Sequence, residues 1–233
     1  MNRNTRNLTR LTVALALAIA VTSCSSPRGS NSSIDLFNGK DLKGWSYILA
    51  DPSVKMDKVW SVDGGILTCQ GTPIGAIYKG PKVTNFRLLV EYRWAPGTTP
   101  GNSGIFSRIS GPMKAIPPAI EVQLQHGNAG DILGLQGKQV ASAQPRFFEV
   151  KKHALAGDIA GVKKVFDQER APGEWNRVEI TAEGPRYTVL MNGKVINEAD
   201  GVEVAPGLVG LQSEGGVIQF RRVTLTPLPH PSK

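Results

Sequence analysis

The chain has 233 residues, a formal net charge of +8 and 20% charged residues. Three arginines lie within the first ten residues, and the other basic residues are scattered rather than gathered in a stripe between aromatic side chains. This distribution excludes a nucleic-acid-binding protein. Once the two ends are set aside, about 195 residues remain, which is enough for one well-buried core.

The N-terminus is predicted to be an export signal. The three arginines precede an apolar run over residues 11–21, which is too short to span a bilayer as a permanent helix. The run ends in Val21-Thr22-Ser23-Cys24, which resembles the bacterial lipobox. We expect a signal peptide over residues 1–23, lipidation of Cys24 and a mature net charge of +5. A plain secretory signal is the alternative.

A Ser-rich tether over residues 24–33 follows the signal. Ser25 stands directly after Cys24, and by analogy with enteric bacteria this favours the outer membrane. We therefore expect a protein of the bacterial cell envelope whose membrane partner is reached through the lipid. If Cys24 carries lipid, Cys69 is the other cysteine and makes no intramolecular disulfide, so we predict a buried, inert thiol.

Short runs with strand character alternate with turns along the body of the chain. Asp63-Gly64-Gly65 separates two such runs, and Asn192-Gly193 separates two more. Asn-Gly is the strongest short hairpin signal because both central positions of its turn need positive φ. We predict a β-hairpin at each site.

Alternation predicts which side chains face the core. Over Phe86–Trp94 hydrophobic residues occupy every second position, so they share one face of a strand. Over residues 217–225 the hydrophobic phase reverses after Phe220. A bulge at Arg221-Arg222 would return the hydrophobic residues to a single face.

The stretch from residue 119 to 131 has the clearest functional pattern. Hydrophobic side chains alternate with polar ones, as Ile120, Val122 and Leu124 alternate with Glu121, Gln123 and Gln125, and His126 follows. One face of this strand is therefore aliphatic, whereas the other carries a carboxylate and two amides. A row of carboxylate and amide side chains suits a polyhydroxy ligand. An ordinary exposed strand face is the alternative.

Residues 126–176 form the least regular interval. Strands are indicated only near residues 131–134 and 162–166, and a short helix is predicted around residues 151–156. Long excursions of this kind are often functional rims or lids. Many short strands with few helices predict one all-β antiparallel sandwich or jelly roll over residues 34–228, with a tail at 229–233.

Several blocks in order resemble the 3-keto-disaccharide hydrolase domain family. They cover nearly all of residues 34–228 and comprise residues 36–45, 86–93, 101–108, 121–131, 172–176, 191–194, 210–216 and 220–221. Arg222 departs from the family, which often has Asn there. The resemblance implies a concanavalin A-like jelly roll and exported proteins that act on sugars whose 3-hydroxyl has been oxidised to a ketone. It also implies a separate enzyme that oxidises the sugar beforehand.

A ketone at C3 acidifies the C2 proton, and its removal allows expulsion of the C1 substituent, followed by addition of water. This chemistry needs a base, a group that stabilises the enolate oxygen and a proton donor for the leaving oxygen. We predict that Glu121 and His126 are the acid and base and that Arg108 clamps the enolate or a hydroxyl. The alternatives are a Glu121 that only binds ligand, a His126 that structures a loop and an Arg108 in a structural ion pair.

Amide side chains suit sugar hydroxyls because an amide both donates and accepts hydrogen bonds. The predicted substrate-binding residues are Asn102, Gln123, Gln125 and Gln212, with Glu214 as a reserve base and Trp175 as a platform that stacks on a sugar ring. A core position is the alternative for Trp175, and a turn carboxylate is the alternative for Glu214.

Two questions stay open at the level of sequence. The histidines form no HxH or HExxH motif, so a conventional zinc site is not expected, whereas a divalent cation held by Asp131 and Glu121 is an open hypothesis. The main functional hypothesis is an enzyme that cleaves 3-keto-glycosides. A non-catalytic carbohydrate-binding lipoprotein is the alternative, and an envelope structural protein with a flat polar face is the third.

Overall fold

The computed structural model describes residues 32–141 and 145–229, together with Met1. The predicted signal peptide, Cys24, most of the predicted tether and residues 230–233 lie outside the described residues, so these assignments stay predictions. Within the described stretches, no helix has the length and apolar character needed to cross a membrane.

The described chain is built from β-strands and one single-turn helix, α1 (Met56–Val59). The strands in chain order are β1 (Ile34–Asp35), β2 (Ser46–Leu49), β3 (Trp60–Asp63), β4 (Ile66–Cys69), β5 (Gly75–Val83), β6 (Phe86–Trp94), β7 (Gly104–Ile109), β8 (Ile120–Gln123), β9 (Ile132–Gly134), β10 (Val140–Ala141), β11 (Phe147–His153), β12 (Gly157–Val162), β13 (Asn176–Glu183), β14 (Arg186–Met191), β15 (Lys194–Ala199), β16 (Gly201–Val202), β17 (Gly207–Ser213) and β18 (Ile218–Pro227).

Two eight-stranded antiparallel sheets pack face to face. Sheet I has the order β15-β14-β13-β6-β18-β4-β3, and β1 also pairs with β18. Sheet II has the order β11-β12-β9-β8-β7-β17-β5-β2, and β10 pairs separately with β16. One hydrophobic cluster joins the inner faces of both sheets. The predicted all-β sandwich of two antiparallel sheets is confirmed.

Strand periodicity places the core as the sequence predicts. Every second residue of β6, from Phe86 to Trp94, belongs to the cluster between the sheets, and so do Ile120, Val122 and Leu124. Glu121 and Gln123 therefore lie on the outer face of sheet II. Cys69 is buried and free, and burial raises the pKa of its thiol to about 11. This environment keeps the thiol protonated and inert, as predicted.

The predicted bulge in β18 is confirmed. Phe220 pairs with Tyr92 of β6, whereas Arg222 pairs with Glu91, so Arg221 is the extra residue. The shift by one position restores the hydrophobic phase, because Ile218, Phe220, Val223 and Leu225 all belong to the same core cluster.

Both predicted hairpins are also confirmed. Gly64 and Gly65 connect β3 to β4, and Asn192 and Gly193 connect β14 to β15. All four residues have positive φ, from 52° to 84°, as a type I′ turn requires.

The short helix predicted around residues 151–156 is wrong. β11 and β12 instead form a hairpin in which Phe147 pairs with Val162 and His153 pairs with Gly157. The strand predicted at 131–134 is confirmed as β9, but the one predicted at 162–166 ends at Val162. Pairing of β12 with β9 gives the backbone N–H and C=O groups partners at the edge of sheet II, and this tertiary effect overrides the local helix preference.

A second, smaller hydrophobic cluster covers part of the outer face of sheet II. Phe106 and Leu133 project into it from β7 and β9, and Ile116 and Ala156 reach it from the two loops above the sheet. The outer face is therefore partly roofed, and the polar side chains of β8 lie next to an apolar wall.

Candidate active site

Three buried polar atoms without partners meet at one place. Among the described residues, four buried side-chain polar atoms have no hydrogen-bond partner, namely Trp60 Nε1, Asn102 Oδ1, Glu121 Oε1 and Gln212 Oε1. The last three belong to residues that line a single cavity of about 120 Å³. A buried polar group left unpaired costs roughly 1–3 kcal/mol, so three together indicate a site that is completed by a hydrogen-bonding ligand.

The cavity combines polar groups with an apolar wall. Its lining consists of Asn102, Ile116, Glu121, Gln123, Leu133, Leu135, His153, Ala156, Ile159, Gln212 and Glu214. The polar residues come from β7, β8, β11 and β17 or the turns beside them, and these strands belong to sheet II. A ligand with hydroxyls on one side and C–H groups on the other, such as a sugar ring, matches this lining.

Glu121 is the central group of the cavity. Its side chain points away from the core between two inward-facing neighbours, yet the residue is only 3% exposed. Burial, and secondarily the negative charge of Glu214, raise the pKa of its carboxyl well above the ordinary value of 4.5. A Cβ at Gly104, on the neighbouring strand, would overlap the Glu121 carboxylate. Glycine at that position therefore makes the room that Glu121 occupies.

Amides surround this carboxyl. Asn102 Nδ2 donates to Glu214 Oε2 at 2.9 Å, which leaves the Asn102 carbonyl oxygen available. Gln123 Oε1 accepts from the backbone N–H groups of Leu124 and Gln125, so its amide nitrogen remains available to a ligand. Gln212, on β17, is 1% exposed.

Glu214 supplies a second carboxylate. Burial raises its pKa, while a hydrogen bond from Gln212 and the nearby His153 act in the opposite direction. The charge on Glu214 in turn raises the pKa of Glu121. When the cavity carries a single negative charge, the charge therefore resides on Glu214 and the proton on Glu121.

His153 is the titratable residue that sequence reasoning missed. It ends β11, and its Nδ1 accepts the backbone N–H groups of Ala156 at 3.1 Å and Leu155 at 3.4 Å. With Nδ1 engaged as an acceptor, the neutral ring carries its proton on Nε2 as a donor. The sequence signal was the hydrophobic alternation of residues 148–150, which fits the strand that brings this histidine to the cavity.

Gln136 holds the two loops that form the roof. Its Nε2 donates to the backbone oxygens of Ile116 at 3.1 Å and Leu155 at 2.7 Å. Its Oε1 accepts from Lys114 at 3.2 Å, and its backbone has a φ of +55°. One side chain therefore ties the loop of Ile116 to the turn that carries His153.

The structure does not bring Arg108 to this cavity. A bulge in β7 opposes Ser107 and Arg108 to the single residue Val209, which reverses the side-chain alternation. The guanidinium lies 4.9 Å from the ring centre of Tyr187 and donates to backbone oxygens of Thr84, Gly184 and Glu203. All of its described contacts are structural. The guanidinium hydrogen-bonds to backbone carbonyls and does not form the structural ion pair that was the alternative.

His126 and Gln125 also lie away from the cavity lining. His126 Nδ1 is 2.9 Å from Glu169 Oε2, and that carboxylate also receives hydrogen bonds from Tyr92, Trp94 and the backbone of Gly127. This arrangement fits the loop-structuring alternative. Gln125 is exposed and accepts a hydrogen bond from Asn128. Alternation fails here because β8 ends at Gln123.

Trp175 belongs to the opposite side of the sandwich. Its ring lies 4.6 Å from the guanidinium carbons of both Arg93 and Arg221, on the outer face of sheet I. It is therefore neither a core residue nor a neighbour of Glu121.

A cation site has no support in the described residues. No three His, Cys, Asp or Glu side chains in residues 32–141 and 145–229 stand close enough together to hold a metal ion. Asp131 accepts a hydrogen bond from the backbone of Lys164 and does not line the cavity with Glu121. The hypothesis of a cation held jointly by these two carboxylates does not fit this arrangement.

A family profile described as a 3-keto-alpha-glucoside-1,2-lyase-like domain matches residues 32–226. The chain belongs to this family. The match covers both sheets and every polar residue of the cavity, and it confirms the resemblance noted in the sequence. No curated protein matches the chain.

Solved structures support the fold. A candidate glycosyl hydrolase from Parabacteroides distasonis is 24% identical, with a TM-score of 0.58 over 85% of this chain and 100% of that one. The carbohydrate-binding module CBM66 from Bacillus subtilis is 13% identical, with a TM-score of 0.55 over 78% of this chain and 95% of that one. These similarities support the jelly-roll-like architecture of this chain.

Proposed function

We propose that this protein cleaves 3-keto-glycosides, such as 3-keto-disaccharides, by elimination in the Glu121 cavity. The observation that carries the proposal is the convergence of three unpartnered buried acceptors with a second carboxylate in one cavity. Family membership supports the substrate class. The two carboxyl groups differ in environment, and such a difference is what separates an acid from a base in one site.

In the first step, Glu214 accepts the proton from C2. The electron pair of the broken C–H bond forms the C2–C3 enolate, and negative charge develops on the ketone oxygen. Hydrogen-bond donors that line the cavity, the Gln123 amide and the Nε2–H of His153, can stabilise that oxygen. A raised pKa makes Glu214 a stronger base than an ordinary carboxylate, which favours this role.

In the second step, the enolate re-forms the ketone and expels the oxygen substituent at C1, leaving a double bond between C1 and C2. The protonated Glu121 gives its proton to the leaving oxygen. Water then adds to C1 and gives one of its protons to Glu121, while C2 regains a proton from Glu214. Both carboxyl groups thus return to their starting protonation states. No external oxidant or reductant is needed.

The predicted lipid anchor would place this reaction in the cell envelope. Cys24 stands nine positions before Ser33, which directly precedes β1. We propose that the mature protein is held to the membrane through Cys24, with the domain free to meet substrate outside the cytoplasm. Mass spectrometry of membrane-extracted protein tests this, since an N-terminal lipidated Cys24 is the expected product and an unmodified chain end contradicts it.

Activity is tested with residues 32–233, because both hydrophobic clusters lie wholly within residues 36–225. The fragment is incubated with a 3-keto-disaccharide and, separately, with its unoxidised parent in D₂O. We expect release of the leaving sugar from the ketone alone, and slower release from a ketone that carries deuterium at C2, because that C–H bond is broken. Deuterium from D₂O enters C2 of the product to the extent that Glu214 exchanges its proton with solvent before returning it. Release with neither an isotope effect at C2 nor solvent deuterium at C2 would contradict the elimination route. Binding of the ketone without release would favour the carbohydrate-binding alternative.

Gln136 offers a test of the roof. Gln136→Ala removes both hydrogen bonds that join the Ile116 loop to the His153 turn, so we expect kcat/KM to fall roughly 10- to 100-fold through misplacement of the cavity wall. Urea unfolding should show a loss of about 1–2 kcal/mol. Gln139→Ala is the matched control, because the described hydrogen bond of its side chain goes to the nearby Gly137 carbonyl and does not join the two loops. Equal kinetics for the two variants would show that the roof has no part in catalysis.

A further inference from the structure

The outer face of sheet I carries an excess of arginine. Two adjoining grooves of about 180 and 490 Å³ share Arg177 and Glu179. The arginines on this face, which we call the arginine face, are Arg87, Arg93, Arg170, Arg177, Arg221 and Arg222. The acidic groups in or beside these two grooves are Glu91, Glu179 and Asp35, so arginines outnumber carboxylates there. Farther along the same sheet, Glu183 and Glu198 lie near Arg186.

Among the described residues, two of the six arginines form an ion pair, Arg177 with Glu179 and Arg221 with Glu91. Arg93 donates instead to Gln219, and Arg170 donates to the Trp175 carbonyl. Arg87 and Arg222 also have no acidic partner in the described stretches. Arg87 and Arg222 line the smaller groove with Thr181, Thr224 and Thr226 at its sides, and Arg222 Nε donates to Thr224 Oγ1 at 3.1 Å. Guanidinium groups without an acidic partner beside hydroxyls favour phosphate oxygens as partners.

The chain enters the domain on this same face. Ser33 lines the smaller groove, its hydroxyl lies 2.8 Å from that of Thr226, and β1 pairs with β18 directly afterwards. In the proposed anchored protein, the nine positions from Cys24 to Ser33 span at most about 30 Å. The tether therefore joins the domain beside the smaller groove of the arginine face.

The catalytic cavity lies on the other side of the sandwich. Glu121 projects from the outer face of sheet II, and the shared core separates the two outer faces. A surface that contacts the arginine face therefore leaves the cavity open. The arginine face and the proposed active site do not compete for the same space.

We propose that the arginine face docks on the anionic phospholipid headgroups of the membrane that anchors the protein. The orientation rests on the proposed lipid anchor but not on the proposed reaction. Docking would hold sheet I against the headgroups and direct the Glu121 cavity toward the soluble substrate. The phosphate groups would take positions beside Arg87 and Arg222.

Vesicle sedimentation with residues 32–233, which lack the anchor, tests the proposal. We expect binding to vesicles with 30 mol% phosphatidylglycerol, little binding to pure phosphatidylcholine, and a loss of binding as salt concentration rises. The double variant Arg87→Gln/Arg222→Gln should bind roughly 30-fold more weakly. The control Lys151→Gln/Lys163→Gln removes the same charge from the sheet II side and should change binding less than threefold, which is about the scatter of such electrostatic effects.

Three outcomes would overturn the proposal. The first is absence of binding to anionic vesicles, and the second is an equal loss of vesicle binding in the two double variants. The third is retention on polygalacturonate that depends on Arg87 and occurs without vesicle binding, which would assign the face to an anionic polysaccharide. Turnover of a 3-keto-disaccharide in solution should be unchanged in Arg87→Gln/Arg222→Gln. Failure of docking and failure of the proposed reaction are therefore told apart.

Discussion

Glu121→Gln will lower kcat for a 3-keto-disaccharide by roughly 10²- to 10⁴-fold, the range expected when a general acid is removed. The amide has nearly the shape of the protonated carboxyl but cannot pass a proton to the leaving oxygen. Because the amide still fills the place beside Gly104, KM should change little. Steady-state kinetics with the leaving sugar as readout check both expectations.

Gln125→Glu serves as the matched control, because it makes the reverse exchange of amide and carboxylate just past the same strand but outside the cavity. It should leave both kcat and KM close to those of the parent protein. A Glu121→Gln variant with the kcat of the parent protein would remove Glu121 from the reaction. In that event Glu214 would be the one carboxyl group of the cavity that still takes part in the reaction.

The same variant has a second consequence, for stability. The folded-state pKa of Glu121 lies above its unfolded value, so its protonated form stabilises the fold below about pH 4.5, and this contribution is lost as pH rises through the folded pKa. We expect Glu121→Gln to gain stability relative to the parent as pH increases from 4.5 to 8. Urea unfolding at several pH values measures this, and a difference independent of pH would contradict the raised pKa.

Arg108→Ala should destabilise the protein by about 3–5 kcal/mol, since it removes the guanidinium hydrogen bonds to three backbone carbonyls at a buried position. Arg108 is 1% exposed, and its hydrogen bonds to Thr84, Gly184 and Glu203 span 2.6 to 3.1 Å. The contact with the Tyr187 ring would be lost as well. Chemical unfolding monitored by tryptophan fluorescence reports the change.

Arg177→Ala is the control, because this arginine is exposed and its ion pair with Glu179 contributes at most about 1 kcal/mol. If Arg108→Ala folds poorly, Arg108→Lys retains the charge and should show an intermediate loss of stability. Either variant should keep the kcat of the parent per folded molecule. A large loss of kcat with unchanged stability would instead support the sequence-based role of Arg108 as a substrate clamp.

Local sequence was sufficient to predict features that depend on the two-residue period of a strand or on a turn. The inward face of β6, the bulge beside Arg221 and the turn at Asn192-Gly193 all follow from nearest neighbours along the chain. The outward direction of Glu121 follows in the same way. These features depend on backbone dihedral preferences and on the burial of one strand face, which are properties of a few consecutive residues.

Prediction was less successful where regular alternation ended. Arg108 follows the phase of Phe106 in the sequence, but the bulge in β7 turns it toward Tyr187. His126 stands just past the end of β8, where alternation no longer fixes a direction, and Glu169 from a distant loop binds it. In both cases the partner is far along the chain, so no local pattern could reveal it.

The sandwich, its core faces and the outward position of Glu121 could be predicted from the amino-acid pattern, because a strand of period two needs its own residues alone to define two faces. The pattern could not show that His153 rather than His126 would join Glu121, Gln212 and Glu214. That choice depends on which strands become neighbours in sheet II and on how Gln136 fixes the roof. Strand order and loop closure arise from contacts between residues far apart in the chain, so the active site is a property of the assembled sheets.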